Sequence, residues 1–376
     1  MSLINPLFPG VTFMTGNAKK QIRRFVGTAA VILLFCGAGA FAVQEKLSPI
    51  SDYQYKKDFA QYDTIKKEAD PQKRADLLIG FMKEHPISRM LLYVATDYLE
   101  CVKPYLAKND FAKAISMQET LWALIPTAKT IQDASLPAGV EEFLKDQLLP
   151  TQKLTISSMV GAYYQSQNWP KTAEMVEKLY ELAPDKATLP VLADIYYKMQ
   201  NMDKYMACGQ KILAEFPMDQ PQGYTTAIQM AQVYIQKQDV NSAIDLLSKV
   251  MDVYGDKLPP NIQEAQWNAT RAFAYGVIAS GVYAKKDYPK AQELYEKVAK
   301  FDAKRDDAYY YIGMSKWQNK DPEGAIDAFA KCVALNKATA KKAQQYMEDL
   351  YKARHNNTLD GLDQVLVKAK SELGIN

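Results

Sequence analysis

Residues 272–339 carry one pattern twice, with the second copy 34 positions after the first throughout. Tyr275, Ile278, Ala279 and Val282 are followed by Ala291, Tyr295 and Val298. The second copy reads Tyr309, Ile312, Gly313, Lys316, then Ala325, Phe329 and Cys332. Each copy has a polar break at the same place, Lys286-Asp287-Tyr288-Pro289 and Lys320-Asp321-Pro322-Glu323. Apolar residues three and four apart on both sides of the break predict two amphipathic helices per copy. Small residues predict where the two helices touch, with Ala279 facing Ala291 and Gly313 facing Ala325. A unit of this size cannot bury its apolar face alone, so copies must stack on one another.

The pattern resembles the tetratricopeptide repeat (TPR), whose signature over 34 residues is an aromatic, a Leu-small pair and a Tyr, then Ala, an aromatic and Pro. Weaker copies cover 55–88, 95–128, 153–186, 186–219 and 224–257. The first breaks at Asp70-Pro71-Gln72-Lys73, as the last does at Asp321-Pro322, and its second helix stops at His85-Pro86, because proline cannot donate the helical hydrogen bond. In the fourth, Tyr205 stands where the repeat has a small alanine. The span 55–339 thus reads as about seven TPR units with insertions at 129–152 and 258–271. In the first insertion Pro137 is expected to open a short helix carrying Val140, Phe143, Leu144 and Leu148, closed before Pro150. In the second, Pro259-Pro260 are expected to start a first helix extended backwards to about 25 residues. Residues 340–376 read as a capping helical hairpin, 340–355 and 358–373, broken at Asn356-Asn357 with Thr358 as N-cap. The resemblance implies an all-α fold, a TPR-type α-solenoid in which antiparallel helix pairs wind into a right-handed superhelix; the apolar stretch before it is expected to add an N-terminal hydrophobic helix.

That leading helix is expected within residues 1–42, ahead of a tether at 43–54. Lys19, Lys20, Arg23 and Arg24 precede an uncharged apolar run from Phe25 to Ala42 that ends in Ala40-Phe41-Ala42, the form of a cleavable signal peptide. The same run is just long enough to span a bilayer, so residues 25–42 would contact the membrane as a transmembrane anchor if uncleaved. Either way the body of the protein is expected to be exported, periplasmic or anchored in the inner membrane with the repeats outside the cytoplasm.

The chemistry-bearing residues are few. A net charge of +3 and the lack of a basic stripe with interleaved aromatics argue against nucleic acid. Two histidines, His85 and His355, leave little for a metal or a histidine-based active site. No phosphate-binding glycine loop, nucleophile elbow, zinc-binding histidine pair or dinucleotide fingerprint occurs. Glu141-Glu142 and Asp306-Asp307 fall at expected helix starts, where acids complement the dipole. Cys101, Cys208 and Cys332 are widely spaced and read as free core thiols. No catalytic residue, cofactor or metal is therefore expected, and the chain reads as a non-enzymatic scaffold or adaptor for cell-envelope complex assembly.

The resemblance places the first helix of each unit on a concave groove for a protein or peptide partner. Carried over position by position, it exposes Tyr164, Gln165, Asp194, Tyr197, Gln232, Gln236, Tyr283, Tyr310, Met314, Trp317 and Gln318 there. Aromatics supply contact area and amides can satisfy a bound backbone, although the same aromatics could equally pack between neighbouring units. The Lys/Asn carboxylate clamp of chaperone-binding family members is absent at the matching positions. Two other readings stay open: a structural, oligomerising or bracing subunit that uses the convex face, and a small-ligand or glycan binder.

Overall fold

A computed structural model describes residues 52–133, 140–255, 257–260 and 262–375. The basic and apolar stretch at 18–42, with the signal or anchor and the hydrophobic helix expected on it, lies outside them. Among the described residues the chain is helical, without a strand, and no helix is long and apolar enough to cross a membrane.

Helices follow in pairs. They are α1 (Asp52–Lys66) with α2 (Pro71–Glu84), and α3 (Leu91–Ala107) with α4 (Phe111–Leu124). After short helices α5 (Ala128–Asp133) and α6 (Val140–Phe143) come α7 (Leu149–Gln165) with α8 (Trp169–Leu182), and α9 (Leu189–Lys198) with α10 (Met202–Glu215). Then come α11 (Pro221–Gln236) with α12 (Val240–Tyr254), α13 (Glu264–Ala284) with α14 (Tyr288–Phe301), and α15 (Asp306–Gln318) with α16 (Pro322–Leu335). A last pair is α17 (Ala340–Arg354) and α18 (Leu362–Glu372). The chain divides into two compact units between Cys208 and Gly209, inside α10.

One local device makes six of these pairs. The residue closing the first helix is left-handed: Asn109, Gln167, Gln200, Gln238, Lys286 and Lys320 have φ between 55° and 65°. The next residue, Asp110, Asn168, Asn201, Asp239, Asp287 or Asp321, sends its amide five residues back into the finished helix at 2.8–3.3 Å. Its side chain meanwhile accepts the amide three residues on, at 2.9–3.3 Å, and so caps the second helix. A single Asp or Asn thus satisfies orphan groups at two helix ends. The pair α1/α2 lacks the left-handed residue. There Asp70 caps α2 through the Lys73 amide at 2.8 Å, and Glu68 accepts the Asp70 amide at 3.0 Å.

In the first unit, α2 packs on α3, α4 on α7 and α8 on α9, so the second helix of each pair meets the first helix of the next. The insertion lies alongside, burying Ile131, Phe143 and Leu148 in the core of Leu78, Phe81, Val94, Tyr98 and Leu121. In the second unit the same order runs α12 on α13, α14 on α15 and α16 on α17, with α18 against α16. One core there gathers Tyr224, Tyr254 and Trp267 with ring centroids 5.1–6.1 Å apart; Phe329, Cys332 and Met347 fill another. Cys101, Cys208 and Cys332 are buried free thiols, and burial pushes the Cys332 thiol up to about 12.

Four expectations are corrected. The insertion helix does not stop before Pro150: Val140–Phe143, a π turn over Leu144–Leu148 and α7 run on continuously. The Leu149 amide reaches five residues back to the Leu144 carbonyl, and the widened turn admits a proline that cannot donate. Helix α13 is extended backwards, but to 21 residues, because it starts at Glu264 and not at the two prolines. The segment before it is held instead by side chains of α13, Trp267 donating Nε1–H to the Lys257 carbonyl and Arg271 donating to that of Gly255. Thr358 does not cap α18, which starts four residues later, after Gly361 at φ 91°. Finally, the close neighbour of Gly313 is the Phe329 ring, where an added Cβ would lie 2.6 Å from Cε1. Tyr205, large where a small residue was expected, is fully buried and packs edge-on against Tyr197 at 5.5 Å.

Candidate interaction surfaces on the first helices

In the first unit, Tyr164 and Gln165 end α7, and Asp194 and Tyr197 lie on α9. Helix α8 packs on α9, which brings Tyr164 and Asp194 together. The agent is Lys198, a residue outside the expected set. Its ammonium donates to the Tyr164 hydroxyl and to Asp194 Oδ2, both at 2.6 Å. It also sits over the Tyr164 and Trp169 rings, 4.5 and 4.7 Å from their centroids. Those rings meet edge to face at 5.2 Å. Burial pulls the Lys198 ammonium down, and its bonds to Asp194 and Tyr164 outweigh that, so its pKa ends above the ordinary lysine value. Tyr164 is consequently buried within this cluster, whereas Gln165 and Tyr197 are exposed.

In the second unit, Gln232 is half-buried and Gln236 exposed on α11. The remaining candidates fall into a net of rings. Tyr283, at the end of α13, meets Tyr288 at 5.3 Å and Tyr311 at 5.1 Å, both edge to face. Tyr310 lies 5.2 Å from Tyr311 and 6.3 Å from Tyr346 of α17, and Trp317 lies 5.6 Å from Tyr346. Tyr310 is pushed up to about 12 by burial and by the neighbouring phenols of Tyr346, Tyr311 and Tyr283. The Tyr310 hydroxyl is therefore neutral at physiological pH. Met314 packs into the adjoining core, while Trp317, 38% exposed, and Gln318 face outward.

Lys198, Trp169, Tyr288, Tyr311 and Tyr346 belong to these clusters and were not among the expected residues. A signal for three of them was present: Lys198 stands 34 positions after Tyr164, and Trp169 and Tyr288 occupy equivalent places two residues after their left-handed breaks. Tyr346 lies in the terminal hairpin, where the repeat pattern gives no register. Among the described residues no group of His, Cys, Asp and Glu is arranged to hold a metal ion.

Residues 307–339, nearly all of the α15/α16 pair with the whole of its link to α17, match a family model described as a tetratricopeptide repeat. No curated protein sequence matches the chain. Among solved structures, a crystal structure of MamA aligns with 49% of this chain and 94% of its own at 18% identity and a TM-score of 0.34. MamA from Desulfovibrio magneticus RS-1 aligns with 49% and 95% at 12% identity and a TM-score of 0.34. The TPR2AB-domain:pHSP90 complex of yeast Sti1 aligns with 85% and 99% at 13% identity and a TM-score of 0.33. At such scores the superpositions are loose, and the all-α architecture stands on the helix pairs themselves. The family match is to one pair, α15/α16, whose break-and-cap geometry five other pairs share.

Proposed function

We propose that this chain is a non-enzymatic TPR scaffold that binds a protein or peptide on the faces of its first helices, exported or membrane-anchored, in cell-envelope complex assembly. The observation that carries the reading is the meeting of side chains from consecutive first helices: Tyr283 with Tyr311, and Tyr310 with Tyr346. Rings contributed by α13, α15 and α17 would give a partner one continuous aromatic face instead of isolated side chains. Exposed Trp317 and Gln318 border it, offering area and amide hydrogen bonds. The match of 307–339 to the tetratricopeptide repeat supports the same reading. Export rests on the basic and apolar pattern of residues 19–42 alone.

The test is crosslinking in cells from position 318, with partners identified by mass spectrometry. Tyr310→Ala and Trp317→Ala are expected to abolish the adducts while the melting temperature of Trp317→Ala stays within about 2 °C of the parent. Adducts that persist in both variants would refute binding at this face. N-terminal sequencing of the native protein tests export separately, with a start near residue 43 expected after cleavage.

A further inference from the structure

The left-handed breaks give the two units a common ruler. Tyr164 lies three residues before Gln167 and Trp169 two after it; Tyr283 and Tyr288 stand at the same places about Lys286. Both pairs make an edge-to-face notch, at 5.2 and 5.3 Å. The next pair in each unit then supplies the residues at matching places. In the first, the residues two and six before Gln200 are Lys198 and Asp194, which put an ammonium over both rings and neutralise it. In the second, the residues two and six before Lys320 are Gln318 and Met314. Among the described residues no cation lies over Tyr283 or Tyr288, and a third ring, Tyr311, lies edge to face with Tyr283 at 5.1 Å.

We infer that the notch of Tyr283 and Tyr288 receives a lysine side chain from the bound partner, in the place that Lys198 fills within the first unit. The occupant is named by the chain's own precedent: an ammonium on a flexible alkyl stem is what the equivalent notch holds. Rings attract a cation through the negative potential of their faces, and three rings do so better than one. The phenol of Tyr283 is raised by burial and by the phenols of Tyr288 and Tyr311, so it stays neutral and can accept from the ammonium as Tyr164 does. Met314 stands at the place of Asp194, so that position holds no acid in the second notch; the carboxylate that neutralises the incoming lysine must come from the partner or from exposed Asp287 beside Tyr288. This inference deepens the scaffold reading and rests on it.

The full chain is titrated with Nα-acetyl-lysine methylamide, with Nα-acetyl-norleucine methylamide as the uncharged isostere, while ring proton shifts of Tyr283 and Tyr288 are followed by NMR. The lysine probe is expected to move both rings and the norleucine probe neither. Gln318→Lys combined with Met314→Asp rebuilds the first-unit clamp, and this closed notch should weaken the lysine probe roughly five- to thirty-fold. Equal shifts from both probes, or an undiminished response in the rebuilt variant, would overturn the inference. Adducts at position 318 that are lost in Trp317→Ala, with no lysine response, would leave the scaffold standing and sink the lysine site. A lysine response without any such adduct would do the reverse.

Discussion

The two units use the same backbone device and join their pairs with different side-chain chemistry. In the first, tyrosine hydroxyls reach acids on a neighbouring helix pair: Tyr62 to Asp97 at 2.6 Å, Tyr163 to Glu119 at 2.5 Å, Tyr196 to Glu177 and Tyr164 to Asp194. Lys198 and Lys204 then neutralise two of those acids. In the second, rings meet rings: Tyr295 stacks on Tyr311 at 5.0 Å, and Phe329 on Tyr346 at 5.8 Å. A hydroxyl–carboxylate bond has one geometry and fixes the register of two pairs. Ring contacts are worth about 0.5–1.5 kcal/mol over a range of offsets and tolerate adjustment. The first unit is therefore the better-specified one, and the second has the surface that can adapt to another molecule.

Several substitutions probe that contrast, most simply by urea unfolding. The largest effect is expected at Phe329, fully buried between α15, α16 and α17: Phe329→Ala should cost about 3–5 kcal/mol through lost burial and a cavity. Gly313→Leu should cost roughly 1–3 kcal/mol, since its first carbon already collides with that ring. Deleting one hydroxyl separates the units directly. Tyr163→Phe should cost about 0.5–1.5 kcal/mol by losing its hydrogen bond to the exposed Glu119 carboxylate, whereas Tyr295→Phe, whose hydroxyl makes no hydrogen bond among the described residues, should stay within about 0.5 kcal/mol. Equal losses would break the comparison. One further substitution has the opposite sign: Lys320→Gly relieves a left-handed lysine and should stabilise by a few tenths of a kcal/mol, up to about 1 kcal/mol.

Alkaline titration gives a further check. Tyr98, Tyr224 and Tyr310 are pushed up to about 12, chiefly by burial, while the unfolded chain titrates near 10. A phenol whose folded pKa is raised contributes stability that is present below the unfolded pKa and lost as pH climbs towards the folded one. Stability should therefore hold to about pH 9–10 and decline from there towards 12. A flat profile to pH 12 would contradict the burial of these rings.

The helix pairs were legible because the acidic break, the small crossing residues and the prolines act within a few residues of one another. The register from Tyr275 to Cys332 needed only a repeat to be seen. What stayed hidden depends on longer reach. The π turn before Pro150 depends on packing of the insertion against α3 and α4, which no local rule encodes. The backward limit of α13 depends on Trp267 and Arg271 gripping a loop ten and sixteen residues upstream. Among the candidate surface residues, position on a first helix was readable, but burial was not: Tyr164 is enclosed because Lys198 arrives from the next pair.

The shared Asp or Asn between the helices of a pair also sets where the chain can tolerate change. Because that residue finishes one helix and begins the next, a single extra residue beside it would forfeit both functions at once. Lengthening is thus barred at the hairpin tip and permitted only on the links from pair to pair. Both long insertions, ahead of α7 and ahead of α13, fall on such links. Future growth or grafting of new segments into this architecture should succeed there, and fail at the six tips.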